Sequence, residues 1–236
     1  MQPAASARYE IKLRCEPHRC DELRAWVRLH PAHWRVTYPA RQVNNAYFDT
    51  YDYASLSDNL AGAGTRRKLR LRWYGPALET VAGVHLELKC KAGMVGWKEI
   101  CSLDSLSLDL RQHSWSDLRR AVLEASDARA KLWLGQYPYP VLINHYQRDY
   151  YATADQTLRL TIDTQLHVYD QRFTARPNLH HLLPITDRVI VELKADREHC
   201  PRLADVLARF PIRADRFSKY VQGMLAAPDF DRAGLL

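Results

Sequence analysis

The sequence predicts an α+β fold in which several helices pack around a closed antiparallel β-barrel with a charged lumen. The first observation is the stretch from Arg66 to Gly75, which alternates at the strand period of two. Lys68, Arg70 and Arg72 point to one side of this strand, and leucines and a tryptophan point to the other. The second observation is that the same design recurs in four further segments, at residues 8–14, 85–91, 158–163 and 189–194.

The recurrence decides between an exposed sheet face and an enclosed one. A single strand with one cationic face is ordinarily a solvated surface strand. Five strands of this design are explained together by a barrel whose charged faces line the lumen. Cations gathered in one enclosed space repel each other and are costly to desolvate, so such a lumen is expected to bind an anion.

Composition agrees with one basic domain. The 236 residues carry a net charge of +7 and are 47% hydrophobic, which suits a single domain over 1–236 with a core at about 8–226. The charge favours an anionic partner, namely a nucleic acid, a phosphate polymer or a membrane surface. The five cysteines form no CxxC pair, and no run approaches the roughly 20 apolar residues of a membrane span. A reduced, cytoplasmic protein is predicted.

The first half of the chain alternates strands with short helical segments. A helix is expected to run from Pro17 to Leu29, and Pro31 and Pro39 to bracket a connection. A short helix or turn is expected at 52–60, before Gly62 and Gly64. The strands of this half are expected at about 8–15, 43–50, 66–74, 84–91 and 97–101.

The second half opens with helices. Ser116 and Ser126 are predicted to start two of them, and Pro138 and Pro140 to end this insertion. Strands follow at about 141–152, 157–163 with a continuation at 166–169, and 188–195. An amphipathic helix at 201–210 and a final helix around 217–224 complete the chain.

Several short motifs carry a family resemblance. KLRLRWYG (68–75), HLELK (85–89), LRLTID (158–163), VIVELK (189–194) and FSKY (217–220) occur in this order. Together with YFDT (47–50) and HYQRDYY (145–151), they resemble the vacuolar transporter chaperone (VTC) domain, a member of the triphosphate tunnel metalloenzyme or CYTH-like superfamily. The resemblance runs from about Arg8 to Met224, and it implies a tunnel that makes polyphosphate from a nucleoside triphosphate.

The same resemblance implies a set of site residues. The catalytic cations would be Lys12, Arg70, Arg72, Lys89, Arg148, Arg159 and Lys219. Arg70, Arg72, Lys89 and Arg159 among them would hold the nucleotide. Their chemistry suits the task, because arginine binds phosphate oxygens in a bidentate manner and lysine supplies a compact charge. Glu192 would bind Mn²⁺ or Mg²⁺.

Each residue also has a plainer interpretation. Glu192 could form an internal salt bridge with Lys194 or a lumen arginine, and Glu10, Glu87 and Asp163 could either be second acidic groups or orient the cations. Any single cation could lie on the surface, with Lys98 and Arg67 the strongest cases. The neighbouring histidines at 180–181 are expected to be solvated loop residues.

The predicted function is that of a metal-dependent phosphotransferase, which moves the γ-phosphoryl group of ATP to a polyphosphate chain. One alternative is a metal-dependent triphosphate or polyphosphate hydrolase in the same tunnel. Another is a non-catalytic polyphosphate- or nucleotide-binding module that serves a membrane-protein partner. No nucleic acid partner is expected, because the aromatic residues are not arranged on an open sheet. Hydrolytic superfamily members carry Glu-x-Glu-x-Lys on the first strand, where this chain has Arg8, Glu10 and Lys12, and this difference favours the polymerase.

Overall fold

Eight antiparallel strands form a closed barrel in the computed structural model, which describes residues 8–227. They are β1 (Arg8–Cys15), β2 (Arg35–Asp49), β3 (Thr65–Tyr74), β5 (Val84–Ala92), β6 (Val95–Leu103), β8 (Tyr139–Ala152), β9 (Leu158–Asp170) and β10 (Val189–Asp196). Their order around the barrel is β1-β10-β9-β8-β2-β3-β5-β6, and pairing of Arg8 with Gly96 closes it. The predicted fold class is confirmed. Two short strands, β4 (Thr80–Val81) and β7 (Leu108–Asp109), pair separately.

Helices cover the outside of the barrel. Within the described residues they are α1 (Cys20–Leu29), α2 (Ala54–Leu60), α3 (Trp115–Ala125), α4 (Ala128–Gln136), α5 (Cys200–Ala208) and α6 (Lys219–Leu225), with short 3₁₀ turns at Pro17–Arg19 and Arg197–His199. The apolar faces of β3 and β5 share one core with α3 and α4, and those of β1 and β10 share another with α1 and α5. None of these helices is long and apolar enough to span a bilayer.

The last helix differs from the others because it packs against residues that face the lumen. Tyr220 of α6 lies 5.3 Å from Tyr47 of β2, measured between ring centroids. Gly223 permits the close approach of α6 to the barrel. A Cβ atom at this position would lie 2.7 Å from the side chains of both Leu142 and Val168.

The second strand is longer than the sequence predicts. It begins at Arg35, so Pro39 lies inside β2 and does not end a connection. The pairing with β8 shifts register between Tyr38 and Arg41. Proline has no amide hydrogen to donate and is tolerated in a sheet at such an irregularity.

The helix starts in the middle of the chain also differ from the prediction. Ser114, and not Ser116, caps α3 through a reciprocal capping box with Asp117. Asp127 caps α4, while the hydroxyl of Ser126 donates to the carbonyl of Val122 at the end of α3. Serine and aspartate cap about equally well, so sequence alone did not identify the correct neighbour.

Candidate functional site

The strand alternation places charged side chains inside the barrel. Residues directly opposite each other on neighbouring strands share a face. In the strand register, Lys12 is directly opposite Glu192, and Arg70 is directly opposite Glu87 on one neighbouring strand and Tyr47 on the other. The lumen face is therefore the polar face of each strand, as the sequence pattern indicates.

Cations outnumber carboxylates in this lumen. Within residues 8–227, nine cationic side chains make ion pairs or hydrogen bonds there, and they are Lys12, Lys68, Arg70, Arg72, Lys89, Lys98, Arg148, Lys194 and Lys219. The four carboxylates that face them are Glu10, Glu87, Asp163 and Glu192. The excess of positive charge in an enclosed, low-dielectric space creates a strong attraction for anions.

Glu87 organises one part of the lumen. Its carboxylate lies 2.5 Å from Arg70, 2.9 Å from Lys98 and 3.7 Å from Arg72. Burial by itself raises the pKa of Glu87, but the three cations outweigh burial and hold that pKa well below its usual range. Glu87 therefore remains ionised and orients the cations around it.

Arg72 is held mainly by neutral groups. Its Nε donates to Oδ1 of Asn45 at 2.8 Å, and its Nη2 donates to the hydroxyl of Tyr146 at 3.3 Å. Asn45 is fixed in turn by a hydrogen bond to Asn144 of 2.9 Å. Neutral partners orient the guanidinium without cancelling its charge, so the charge remains available to an anion.

Asp163 organises a second part and joins α6 to the lumen. Arg148 donates to it twice, at 2.5 and 2.7 Å, and Lys219 donates at 2.5 Å. Burial raises the pKa of Asp163, but the charges of Arg148 and Lys219 outweigh this and lower it. The carboxylate is thus a fixed counter-charge for both cations.

A third part contains three of the six lumen lysines named above. Lys12 lies 3.4 Å from Glu10 and 3.5 Å from Glu192, so it bridges the two carboxylates. Lys89 lies 3.1 Å from Glu10, and Lys194 lies 2.8 Å from Glu192. Burial raises the pKa of Glu10, but Lys89, Lys12 and Lys194 outweigh it and lower that pKa strongly.

Glu192 is the most heavily contacted carboxylate. Its side chain is 7% exposed, and within 4 Å it meets the cations of Lys12, Lys194, Arg148 and Lys219. The salt bridge with Lys194 considered above is therefore present. Among the described residues, no three histidine, cysteine or acidic side chains are placed to hold a metal ion together. The metal role of Glu192 stays a prediction.

Lys68 and Lys89 have unusually acidic ammonium groups. Lys68 donates to the hydroxyl of Ser218 at 2.8 Å, and the ion pairs found within residues 8–227 give it no carboxylate partner. Burial, together with the charges of Lys12 and Lys89, lowers the pKa of Lys68 well below its usual value. Burial also lowers the pKa of Lys89 to about 8, although Glu10 opposes this. Both lysines would gain from a bound anion.

The structure brings together most of the predicted cations. Six of the seven belong to the network of ion pairs described above. They are Lys12, Arg70, Arg72, Lys89, Arg148 and Lys219. Arg159 is opposite Lys194 and so shares the lumen face, but its side chain is exposed. The ion pairs within residues 8–227 do not include Arg159 either, so it lies outside this network.

Sequence reasoning left three cations of the lumen network, Lys68, Lys98 and Lys194, out of the predicted site. It also left out neutral lumen groups, among them Ser218, Asn45 and Tyr146. Lys68 and Lys194 have the same alternation as the predicted residues, so that signal was available. Lys98 is followed by Glu99, so both faces of this strand carry a charge. The sequence alone therefore does not show which face lines the lumen. The histidines at 180–181 are exposed, as expected.

Comparison with known proteins supports this architecture. The family model of the VTC domain matches residues 7–227. The curated proteins contain no significant match. Among solved structures, a Vibrio parahaemolyticus protein described provisionally as an adenylate cyclase is 14% identical with a TM-score of 0.50, and the alignment covers 93% of this chain and 99% of that one. The PH1819 protein of Pyrococcus horikoshii OT3 is 10% identical with a TM-score of 0.48 and coverages of 92% and 98%. The likeness to the Vibrio parahaemolyticus protein concerns the fold alone.

Proposed function

The chain belongs to the VTC domain family, and from this premise we propose that it transfers the γ-phosphoryl group of ATP to a polyphosphate chain inside the barrel. The observation that carries the proposal is the excess of oriented cations in the lumen. A polyphosphate and a triphosphate are both linear polyanions, and each matches a lumen lined with arginine and lysine. ATP and polyphosphate are the proposed partners.

Phosphoryl transfer demands little covalent chemistry from a protein. It depends on holding the attacking and leaving oxygens in line and on neutralising charge in the transition state. Arg70, Arg72 and Arg148 are anchored by buried partners, so their guanidinium groups are positioned before any ligand arrives. Such preorganised charges need not be rearranged during the reaction.

The lumen carboxylates favour a polymerase over a hydrolase. Hydrolysis requires a base that takes a proton from water, and a useful base has a pKa near the working pH. The pKa values of Glu10, Glu87, Asp163 and Glu192 are all lowered, because neighbouring cations outweigh their burial. These carboxylates are therefore weak bases. The terminal phosphate of a polyphosphate chain is already ionised at neutral pH and needs no base.

A divalent metal fits the proposal only if the substrate supplies most of its ligands. Mg²⁺ is commonly bound by one or two carboxylates together with substrate phosphates. Glu192 would supply the carboxylate, and Mg²⁺ or Mn²⁺ would neutralise phosphate charge when bound. Lys12 and Lys194, which contact the two oxygens of Glu192, would have to move towards the phosphates.

The experiment is a mass balance on ATP consumption by the pure protein with Mn²⁺ and a polyphosphate primer. The proposal expects the phosphate lost from ATP to appear as polymer on a gel. If all of it appears as orthophosphate, the hydrolase alternative is correct. If ATP binds and is not consumed with or without Mn²⁺ and primer, the domain is a binding module.

A further inference from the structure

At the rim of the lumen, we propose that Arg41, Tyr74 and Tyr150 form a stacking site for the base of the nucleoside triphosphate. This inference rests on the proposed function, because it concerns the nucleoside end of the same substrate. With Tyr38, these residues form a cluster that is called the aromatic rim below. None of its members belongs to the phosphate-binding network described above.

Side chains from three strands build the aromatic rim. The guanidinium carbon of Arg41 on β2 lies 4.0 Å from the ring centroid of Tyr74 on β3 and 5.0 Å from that of Tyr150 on β8. It lies 5.6 Å from the ring of Tyr38. The Nε of Arg41 donates to the hydroxyl of Tyr150 at 3.1 Å, which fixes the plane of the guanidinium.

The rim continues directly from the lumen arginines. Tyr74 follows Arg72 by two residues and therefore points to the same side of its strand, and Tyr150 follows Arg148 in the same way. Arg41 is directly opposite Arg148 in the pairing of β2 with β8. Two residues of a β-strand span about 7 Å along the strand axis. A triphosphate on Arg72 and Arg148 would thus direct its nucleoside to the aromatic rim.

Helix α6 fills part of the lumen. Lys219 and Tyr220 of α6 pack into the lumen against Asp163 and Tyr47, and both are buried. In contrast, Arg41 is exposed and Tyr38 is 57% exposed. The rim is therefore an exposed part of the lumen wall, where the large, neutral part of the substrate can remain.

The chemistry of the rim suits a base better than a phosphate. Planar guanidinium groups and aromatic rings stack on nucleobases, and stacking accepts every base because each has a π face. The ion pairs within residues 8–227 give Arg41 no carboxylate partner. The guanidinium of Arg41 presents a flat face over the tyrosine rings, and Arg41 is exposed. A base therefore has room to stack there. We therefore expect recognition of the base by stacking, with purines bound more tightly than pyrimidines.

The test compares two ligands that share a triphosphate, only one of which carries a nucleoside. Isothermal titration of the full chain would give Kd values for ATP and for inorganic tripolyphosphate. Arg41→Lys keeps the positive charge but removes the planar guanidinium group. It should weaken ATP binding about tenfold, which is within the range for one stacked base, and change tripolyphosphate binding less than twofold. Tyr74→Leu should behave similarly, whereas Tyr74→Phe keeps the ring and should bind like the wild type.

Several outcomes would overturn the inference. Equal losses for both ligands in Arg41→Lys would mean that Arg41 binds phosphate, and no loss for either ligand would mean that the rim only packs. In both cases, tight tripolyphosphate binding by the wild type would leave the proposed function standing. Binding of neither ligand by the wild type would overturn both proposals. Equal melting temperatures of Arg41→Lys and the wild type would exclude misfolding as the cause.

Discussion

Lys219 Nζ lies 2.5 Å from Oδ2 of Asp163, so the first residue of α6 makes a buried ion pair with strand β9. Asp163 also binds Arg148, and one carboxylate therefore serves two buried cations. The ion pair makes the last helix a part of the lumen, since it brings Lys219 in from outside the sheet. The hydroxyl of Ser218, which caps this helix, enters the same space and accepts from Lys68.

Asp163→Asn should be strongly destabilising. It removes the hydrogen-bonded counter-charge of the buried Arg148 and Lys219 and leaves them only Glu192, at 3.6 and 3.8 Å. Breaking a buried pair in this way costs about 3–5 kcal/mol of unfolding free energy. Urea denaturation measures the loss. Asp149→Asn is the matched control, because Asp149 pairs with the partly exposed Arg24 and should cost about 0–1 kcal/mol. Added tripolyphosphate should restore part of the stability of Asp163→Asn, and equal losses in the two variants would contradict the network described here.

Tripolyphosphate should raise the melting temperature of the wild-type protein. A ligand that binds only the folded state stabilises it by RT ln(1 + [L]/Kd). The shift should shrink in Arg70→Ala and Arg72→Ala, and it should shrink with added salt because the attraction is electrostatic. Arg129→Ala removes a surface arginine that is 56% exposed and should leave the shift unchanged. Melting curves that do not respond to millimolar tripolyphosphate would exclude an anion-binding lumen.

Glu192→Gln should separate binding from turnover. The substitution keeps the size of the side chain and removes one negative charge from a basic lumen. Phosphate affinity should therefore be kept or increased, while turnover with Mn²⁺ should fall about a hundredfold if Glu192 orients the metal. Glu198→Gln, at an exposed site, is the control. If Glu192→Gln has the metal dependence of the wild type, Glu192 is only an ion-pair partner.

Binding of tripolyphosphate should take up a proton above about pH 8. Burial lowers the pKa of Lys89 to about 8 in the folded protein, so this lysine is largely neutral at higher pH. A bound anion favours the charged form and raises that pKa again. Affinity should then be highest below pH 8 and fall as pH rises through it. Titration calorimetry at pH 8.5 in two buffers of different ionisation enthalpy measures the proton uptake.

The stability of the free protein should change with pH in the opposite direction. Between about pH 8 and the normal pKa of lysine, the unfolded chain holds a proton on Lys89 that the folded chain has lost. The Lys89 contribution to the unfolding free energy therefore rises with pH in this window. Lys89→Arg stays charged throughout and should lose both the proton uptake and this pH dependence. Proton uptake that survives in Lys89→Arg would assign the effect to another lysine, with Lys68 the first candidate.

The alternation of Leu69, Arg70, Leu71 and Arg72 was sufficient to predict a barrel strand with a cationic lumen face. Period-two patterning depends only on local backbone geometry, so it can be recognised without knowing the neighbouring strands. The predicted site cations, six of which lie in the network, came from the family resemblance, and Lys219 among them is on helix α6, where a period of two does not apply. The same period-two reasoning located four further barrel strands. It did not anticipate that β2 would pass through Pro39, because a register shift depends on the partner strand.

What the sequence by itself determined is therefore the fold class and the sign of the lumen charge. The tertiary structure decided which charges meet. The pairs Lys89–Glu10 and Lys219–Asp163 join elements that are distant in the chain, and Arg159 is exposed although its alternation matches that of Asp163. The aromatic rim likewise forms only when β3 and β8 pair with the two edges of β2. The physical reason is that side-chain direction is a local property of a strand, whereas charge pairing and burial depend on distances set by strand register and barrel closure.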